Sequence, residues 1–216
     1  LRRDPAVGHT THVTSTLQAP RRAIDRLLLV CILSFLLLVA GLSVGIVLGE
    51  LRDEFGLSGV VTAAHGSTFG VGLLLSAVFG LPIIERVGRS RVFWGACIGI
   101  GMGIVLLCLG PAWPVTLLGT SISGVACAVL VMLMPGILAD GYPDDRSDKF
   151  AVVNAYPGIA GIIFSLAIGA TLSLGGSWRV PYLAITAALL AIIAVVGRSV
   201  QLPTASHHDN DLREIL

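Results

Sequence analysis

Six stretches of the chain are long, apolar and almost free of charge, and short polar segments separate them. Residues 27–49 carry no charged side chain over a length that a helix needs to cross a bilayer, about 20 residues. The pattern predicts five more spans, at about 59–81, 92–110, 115–139, 150–174 and 180–197. Polar or turn-forming segments at 50–54, 85–91, 111–114, 140–149 and 175–179 lie between them. A charge at the bilayer centre costs about 2.5–3.5 kcal/mol, so each charged segment belongs outside the hydrocarbon. The expected architecture is all-α: a polytopic membrane protein with six transmembrane helices at 27–197. Residues 1–26 form an N-terminal tail, and 198–216 form a second tail or the start of a central linker.

The polar residues inside the spans are not scattered. Thr62, His65, Phe69, Gly72 and Ser76 share one face of the second span, by the 3.6-residue period of a helix. Thr116, Thr120, Ser123 and Cys127 do so on the fourth, and Asn154, Gly158, Gly161, Ser165 and Gly169 on the fifth. The third span has no Ser or Thr and the sixth has only Thr186. Spans two, four and five are therefore expected to face a polar cavity or one another, with three and six outermost. Glycines recurring every four residues, at Gly41, Gly45 and Gly49 and at Gly95, Gly99 and Gly103, allow close helix contact. Pro82, Pro135 and Pro157 mark helix ends or kinks.

An internal repeat is visible at an offset of 88 residues. Span one (27–49) then overlies the fourth span, and Gly88-Arg89-Ser90-Arg91-Val92 meets Gly176-Ser177-Trp178-Arg179-Val180, sharing G-x-x-R-V. Three helices per copy is an odd number, so the second copy runs through the membrane inverted. Two inverted three-helix repeats are a common plan among transporters.

Composition excludes a soluble domain. The chain has 216 residues, of which 55% are hydrophobic and 12% charged, with mean hydropathy +0.89; soluble domains average about 25% charged residues. The net charge of +1 matters less than its distribution. Arg2, Arg3, Arg21, Arg22, Arg26, Arg86, Arg89, Arg91, Arg146, Lys149, Arg198 and Arg213 fall on the tails and on the loops after spans two and four; only Arg52 and Arg179 fall on the other side. Short cytoplasmic loops carry the Lys/Arg excess, so both termini are expected in the cytoplasm, with the chain in the cell membrane.

Candidate chemistry is sparse. Cys31, Cys97, Cys108 and Cys127 lie inside apolar runs without a C-x-x-C pair, so neither a metal site nor a disulfide framework is indicated. No phosphate-binding loop of the G-x-x-x-x-G-K-(S/T) type is present, and no cofactor or nucleic-acid partner is suggested. An intramembrane serine protease would need G-x-S-x-G, but Gly66-Ser67-Thr68-Phe69-Gly70 has Thr68 at its centre. His65 is the one ionisable residue well inside a span. Such a group either relays protons or touches a solute, or it is a neutral imidazole bonded to a neighbouring helix. Asn154 carries the same two readings, substrate contact or helix–helix glue.

The segment Glu85, Arg86, Gly88, Arg89 and Arg91 resembles the signature between the second and third helices of the major facilitator superfamily, G-x-L-a-(D/E)-R-x-G-R-(R/K)-x-(R/K). Leu81 stands at its leading glycine, with Gly80 one residue early. The resemblance extends along the chain, through Gly56-Leu57-Ser58 before span two and Ser177-Trp178-Arg179 before span six. It implies a carrier of small solutes working by alternating access, in which two six-helix halves rock about a central site. Glu85, Arg86 and Arg89 would latch the cytoplasmic side, with Gly88 and Arg91 completing the motif. His65, Thr120, Ser123, Asn154 and Ser165 are the candidates for the solute pathway. Thr120 stands where the family's fourth helix often has an arginine, which removes one argument for proton coupling. Phe164-Ser165-Leu166 replaces the Gly-Pro element of the drug–proton antiporters, so that subgroup is not supported. With six spans against the family's twelve, the chain is expected to be an N-terminal half with a second half as partner; a non-transporting accessory module is the alternative.

Overall fold

The structure, a computed structural model, describes residues 24–203. Of the expected tails at 1–26 and 198–216, residues 1–23 and 204–216, with Arg2, Arg3, Arg21, Arg22 and Arg213 of the charge count, lie outside the described residues. Among the described residues all regular structure is α-helix, with no strand: α1 Arg26–Leu42, α2 Val44–Phe55, α3 Gly59–Val87, α4 Arg89–Leu109, α5 Trp113–Gly141, α6 Arg146–Ser173 and α7 Arg179–Gly197. Six spans are long and apolar enough to cross a membrane, with α1 and α2 forming one of them.

Local chemistry sets where the helices start and stop. Asp25 caps α1 by accepting from the Leu28 amide at 2.8 Å, and Ser58 caps α3 by accepting from Val61. The break at Ser43 has a cause: its hydroxyl donates to the Val39 carbonyl at 2.6 Å, an arrangement that bends helices. Gly56 at φ +60 ends α2, in the left-handed conformation that a glycine adopts without strain. The helices overrun their apolar runs. Glu50 and Glu54 belong to α2 and Glu85 and Arg86 to α3, although these residues mark the polar ends of the spans in the sequence. Pro82, Pro135 and Pro157 all lie inside helices rather than at their ends.

The two halves of the bundle exchange partners. The first span packs against α6 and α7, and α5 packs against α3 and α4. Each copy's first helix thus lies on the second and third helices of the other copy, which is the arrangement that two inverted three-helix units produce. Small residues set the distances. A methyl group added to Gly103 would lie 2.5 Å from the Gly119 carbonyl oxygen, and one on Gly72 would lie 2.7 Å from that of Gly124. Gly41 faces Cys127 and Ser123 of α5 just as closely. Gly45, Gly49 and Gly95 meet nothing within 4 Å among the described residues, so only half of the glycine pattern serves packing there.

Burial corrects one expectation. Half of the residues in the apolar window of α4 are buried, against 22% for α7 and 17% for each of α3 and α6. The sixth span is open on one side, as expected, but the third is not peripheral. In lipid the absence of Ser and Thr does not push a helix outward; small residues decide how deeply it packs, and Gly99 and Gly103 bring α4 onto α5.

Candidate functional site

Gly88 alone separates α3 from α4, at φ +92, a conformation that a side chain would strain. The polar segment is therefore a helix end, one glycine and a helix start. Glu85, Arg86 and Arg91 are exposed, whereas Arg89 turns inward. Its guanidinium pairs with Asp140 near the end of α5, both side chains being less than one-fifth exposed. It lies beside Gly136, one turn before Asp140, and also donates to the Pro203 carbonyl at 3.4 Å. Arg89 thus joins the start of α4, the end of α5 and the segment after α7. Nearby, Arg26 donates to Ser199 at 2.9 Å and Tyr142 donates to Asp25 at 2.5 Å. Burial, then the bond to Asp25, pushes the Tyr142 hydroxyl well above the usual tyrosine range.

The opposite end of the bundle repeats this arrangement. Arg179, the first residue of α7, pairs with Glu54 near the end of α2 at 2.5 Å, and its Nε donates to the Cys108 carbonyl near the end of α4 at 2.7 Å. Its guanidinium also stacks on Trp178, 4.7 Å from the ring centroid. Exchanging the repeats converts one fork into the other: the start of one third helix, the end of the other copy's first helix, and the end of its third. The sequence hid this match because the 88-residue offset aligns Arg179 with Arg91. A single glycine precedes α4, whereas a loop from 174 to 178 precedes α7, and the true counterparts are the two helix-starting arginines.

The polar faces divide into closed and open ones. Those of α3 and α5 meet each other. His65, fully buried, lies 2.8 Å through Nδ1 from the Val61 carbonyl and 3.0 Å through Nε2 from the Thr116 hydroxyl. Thr120 and Ser123 are buried on α5, Thr120 donating to Leu117 at 3.0 Å. The face of α6 is open: Asn154 and Ser165 are exposed and donate only to their own helix, to Phe150 and Gly161. The five pathway candidates are not gathered into one site within this chain. Two apolar grooves, about 460 Å³ between α4 and α5 and about 650 Å³ between α4 and α7, lack the convergent polar groups of a solute site.

A family model describing the Major Facilitator Superfamily matches residues 28–214. The chain belongs to that superfamily. No curated protein matches it in sequence. Among solved structures this major facilitator chain is similar to the proton:xylose symporter XylE bound to 6-bromo-6-deoxy-D-glucose, with TM-score 0.70 and 15% identity over 82% of this chain and 45% of that one. It is also similar to a bacterial homologue of the human lysosomal transporter Spinster in an inward-facing, unoccupied conformation, with TM-score 0.67 and 16% identity over 87% of this chain and 46% of that one. It spans about half the length of both, and at these identities the likeness is one of fold. Major facilitator proteins are multi-pass membrane transporters of small molecules, which agrees with the six apolar helices.

Proposed function

We propose that this chain is the N-terminal half of a secondary carrier that moves a small solute across the cell membrane by alternating access, with both termini in the cytoplasm. One observation carries the proposal: α3 and α6 are the least buried helices, and α6 turns Asn154 and Ser165 outward from the bundle instead of into it. An open polar face is costly against lipid, and polar residues within spans are found facing bundle interiors or water-filled cavities. A second six-helix half seated on α3 and α6 would enclose that face. The solute would then pass Asn154 and Ser165, with Thr120, Ser123 and His65 shaping the wall behind. Exposed Glu85, Arg86 and Arg91 would meet the second half on the cytoplasmic side, while Arg89 and Gly88 hold the segment in place. The twelve-to-two division of basic residues supports the orientation.

The test is thiol accessibility in membranes holding the complete carrier, with the native cysteines replaced. Asn154→Cys and Ser165→Cys should react with a membrane-impermeant maleimide. Ile98→Cys and Met102→Cys, on the outward face of α4, should not. Equal protection at all four positions would refute a water-filled path along α6.

A further inference from the structure

The outer faces of α4 and α7 carry a pattern that the solute pathway does not use. Arg91, Ile98, Met102 and Val105 lie within about 60° of one another around α4. Leu183, Ala187, Ala194 and Arg198 do the same around α7, whose helical dihedrals continue to Arg198. The apolar members of both stripes line the groove of about 650 Å³ between the two helices. Gly101 forms its floor, since a methyl group there would lie 2.5 Å from Leu190. Each stripe ends in an arginine at the same end of the bundle. There the indole ring of Trp94 packs directly on Gly197 and holds the two helix ends together. Both arginines are exposed, and among the described residues neither pairs with a carboxylate. Of the other charges at this end, Asp140 is taken by Arg89, Asp25 accepts from Tyr142, and Arg26 donates to Ser199, next to Arg198.

We propose that the α4–α7 groove holds one acyl chain of an anionic phospholipid, whose phosphate is bound by Arg91 and Arg198. The lengths fit. Arg91 to Val105 and Arg198 to Leu183 are 14 and 15 residues apart, about 21 and 22 Å along the helices. A chain of that reach runs from headgroup level past the middle of a hydrocarbon core about 30 Å thick. Trp94 stands at the headgroup end, the depth at which indole rings anchor a span. The charge decides among lipids: a zwitterionic headgroup sets its own cation against two guanidiniums, whereas an anionic one does not. Basic pockets between transmembrane helices bind anionic headgroups by the same physics. In the carrier proposed above the second half sits on α3 and α6, which leaves this groove to the bilayer. Arg91 shares the groove face, so it serves the lipid, and Glu85 and Arg86 remain for the second half. The inference rests on the membrane fold and on that seating, and requires no transported solute.

The experiment is native mass spectrometry of the full chain released from nanodiscs holding equal amounts of phosphatidylglycerol and phosphatidylcholine with the same acyl chains. Wild type should retain phosphatidylglycerol in preference. An arginine near an anionic headgroup changes affinity about fivefold, so Arg198→Gln should cut the preference about fivefold and Arg91→Gln with Arg198→Gln about 25-fold. Arg146→Gln with Lys149→Gln removes the same charge away from the groove and should leave the preference unchanged. Ala187→Phe, which fills the groove, should lower retention of both lipids without altering their ratio. Equal retention of the two lipids by wild type overturns the proposal. So does a loss of preference in the Arg146/Lys149 variant equal to that of the groove pair, because the effect would then be diffuse charge. Unchanged retention by Ala187→Phe overturns the seat of the chain, and Arg198→Gln alone gives the charge readout if the double variant does not fold. Any of these failures leaves the seam on α3 and α6 standing, since that is read separately by thiol labelling.

Discussion

Neutralising either member of the Arg89–Asp140 pair should destabilise this chain by itself, before any second half is involved. The two side chains are 14% and 18% exposed. That places the pair between exposed ion pairs, which contribute about 0.2–1 kcal/mol, and buried ones, where removing one partner costs about 3–5 kcal/mol. Arg89→Gln and Asp140→Asn should each cost about 2 kcal/mol, and the double variant should recover about 1–1.5 kcal/mol of their sum. At the other end Arg179 and Glu54 are 25% and 40% exposed, so solvent screening reduces the expected coupling to about 0.5 kcal/mol. Glu85→Gln, at an exposed position, should stay within about 0.5 kcal/mol of wild type. The assay is reversible unfolding of the purified chain in mixed micelles, run as a four-variant cycle at each end. A coupling below about 0.3 kcal/mol at Arg89–Asp140, or a Glu85→Gln cost equal to that of Arg89→Gln, would refute the assignment of Arg89 as the clamp within this half.

Gly103→Ala puts a methyl 2.5 Å from the Gly119 carbonyl oxygen, so α4 must move away from α5 at a cost of about 1–3 kcal/mol, whereas Gly95→Ala, with open space around it, should be neutral or slightly stabilising by unfolding titration. The Tyr182 hydroxyl is fully buried and has no hydrogen-bond partner among the described residues, so Tyr182→Phe should raise stability by about 1 kcal/mol; a loss of stability would show that the hydroxyl has a partner after all. Tyr142 ionises at higher pH folded than unfolded, because burial and its bond to Asp25 favour the neutral form. Its contribution is full below the unfolded value of about 10 and falls as pH rises past it, so wild type should lose stability in alkali more steeply than Tyr142→Phe.

Hydropathy identified six long apolar helices, because side chains in lipid must be apolar. It could not locate the helix ends, since the backbone goes on pairing with itself outside the hydrocarbon until a residue such as Gly56 or Gly88 releases it. Helical periodicity identified the polar faces of α3, α5 and α6. Which faces meet and which stay open depends on the crossing of helices, and nothing within one helix encodes that; His65 meets Thr116 across 51 residues of chain. Asp140 and Glu54 looked like ordinary loop carboxylates for the same reason. The third span misled because a hydroxyl count measures polarity, while Gly99 and Gly103 determined the fit.

Both arginine forks are closed in one and the same conformation, at opposite ends of the six helices. A part pinned top and bottom does not bend along its length when pushed at one end; it tilts as a block. In the carrier proposed above, opening and shutting would then happen at the seam with the second half, with both pins staying fastened.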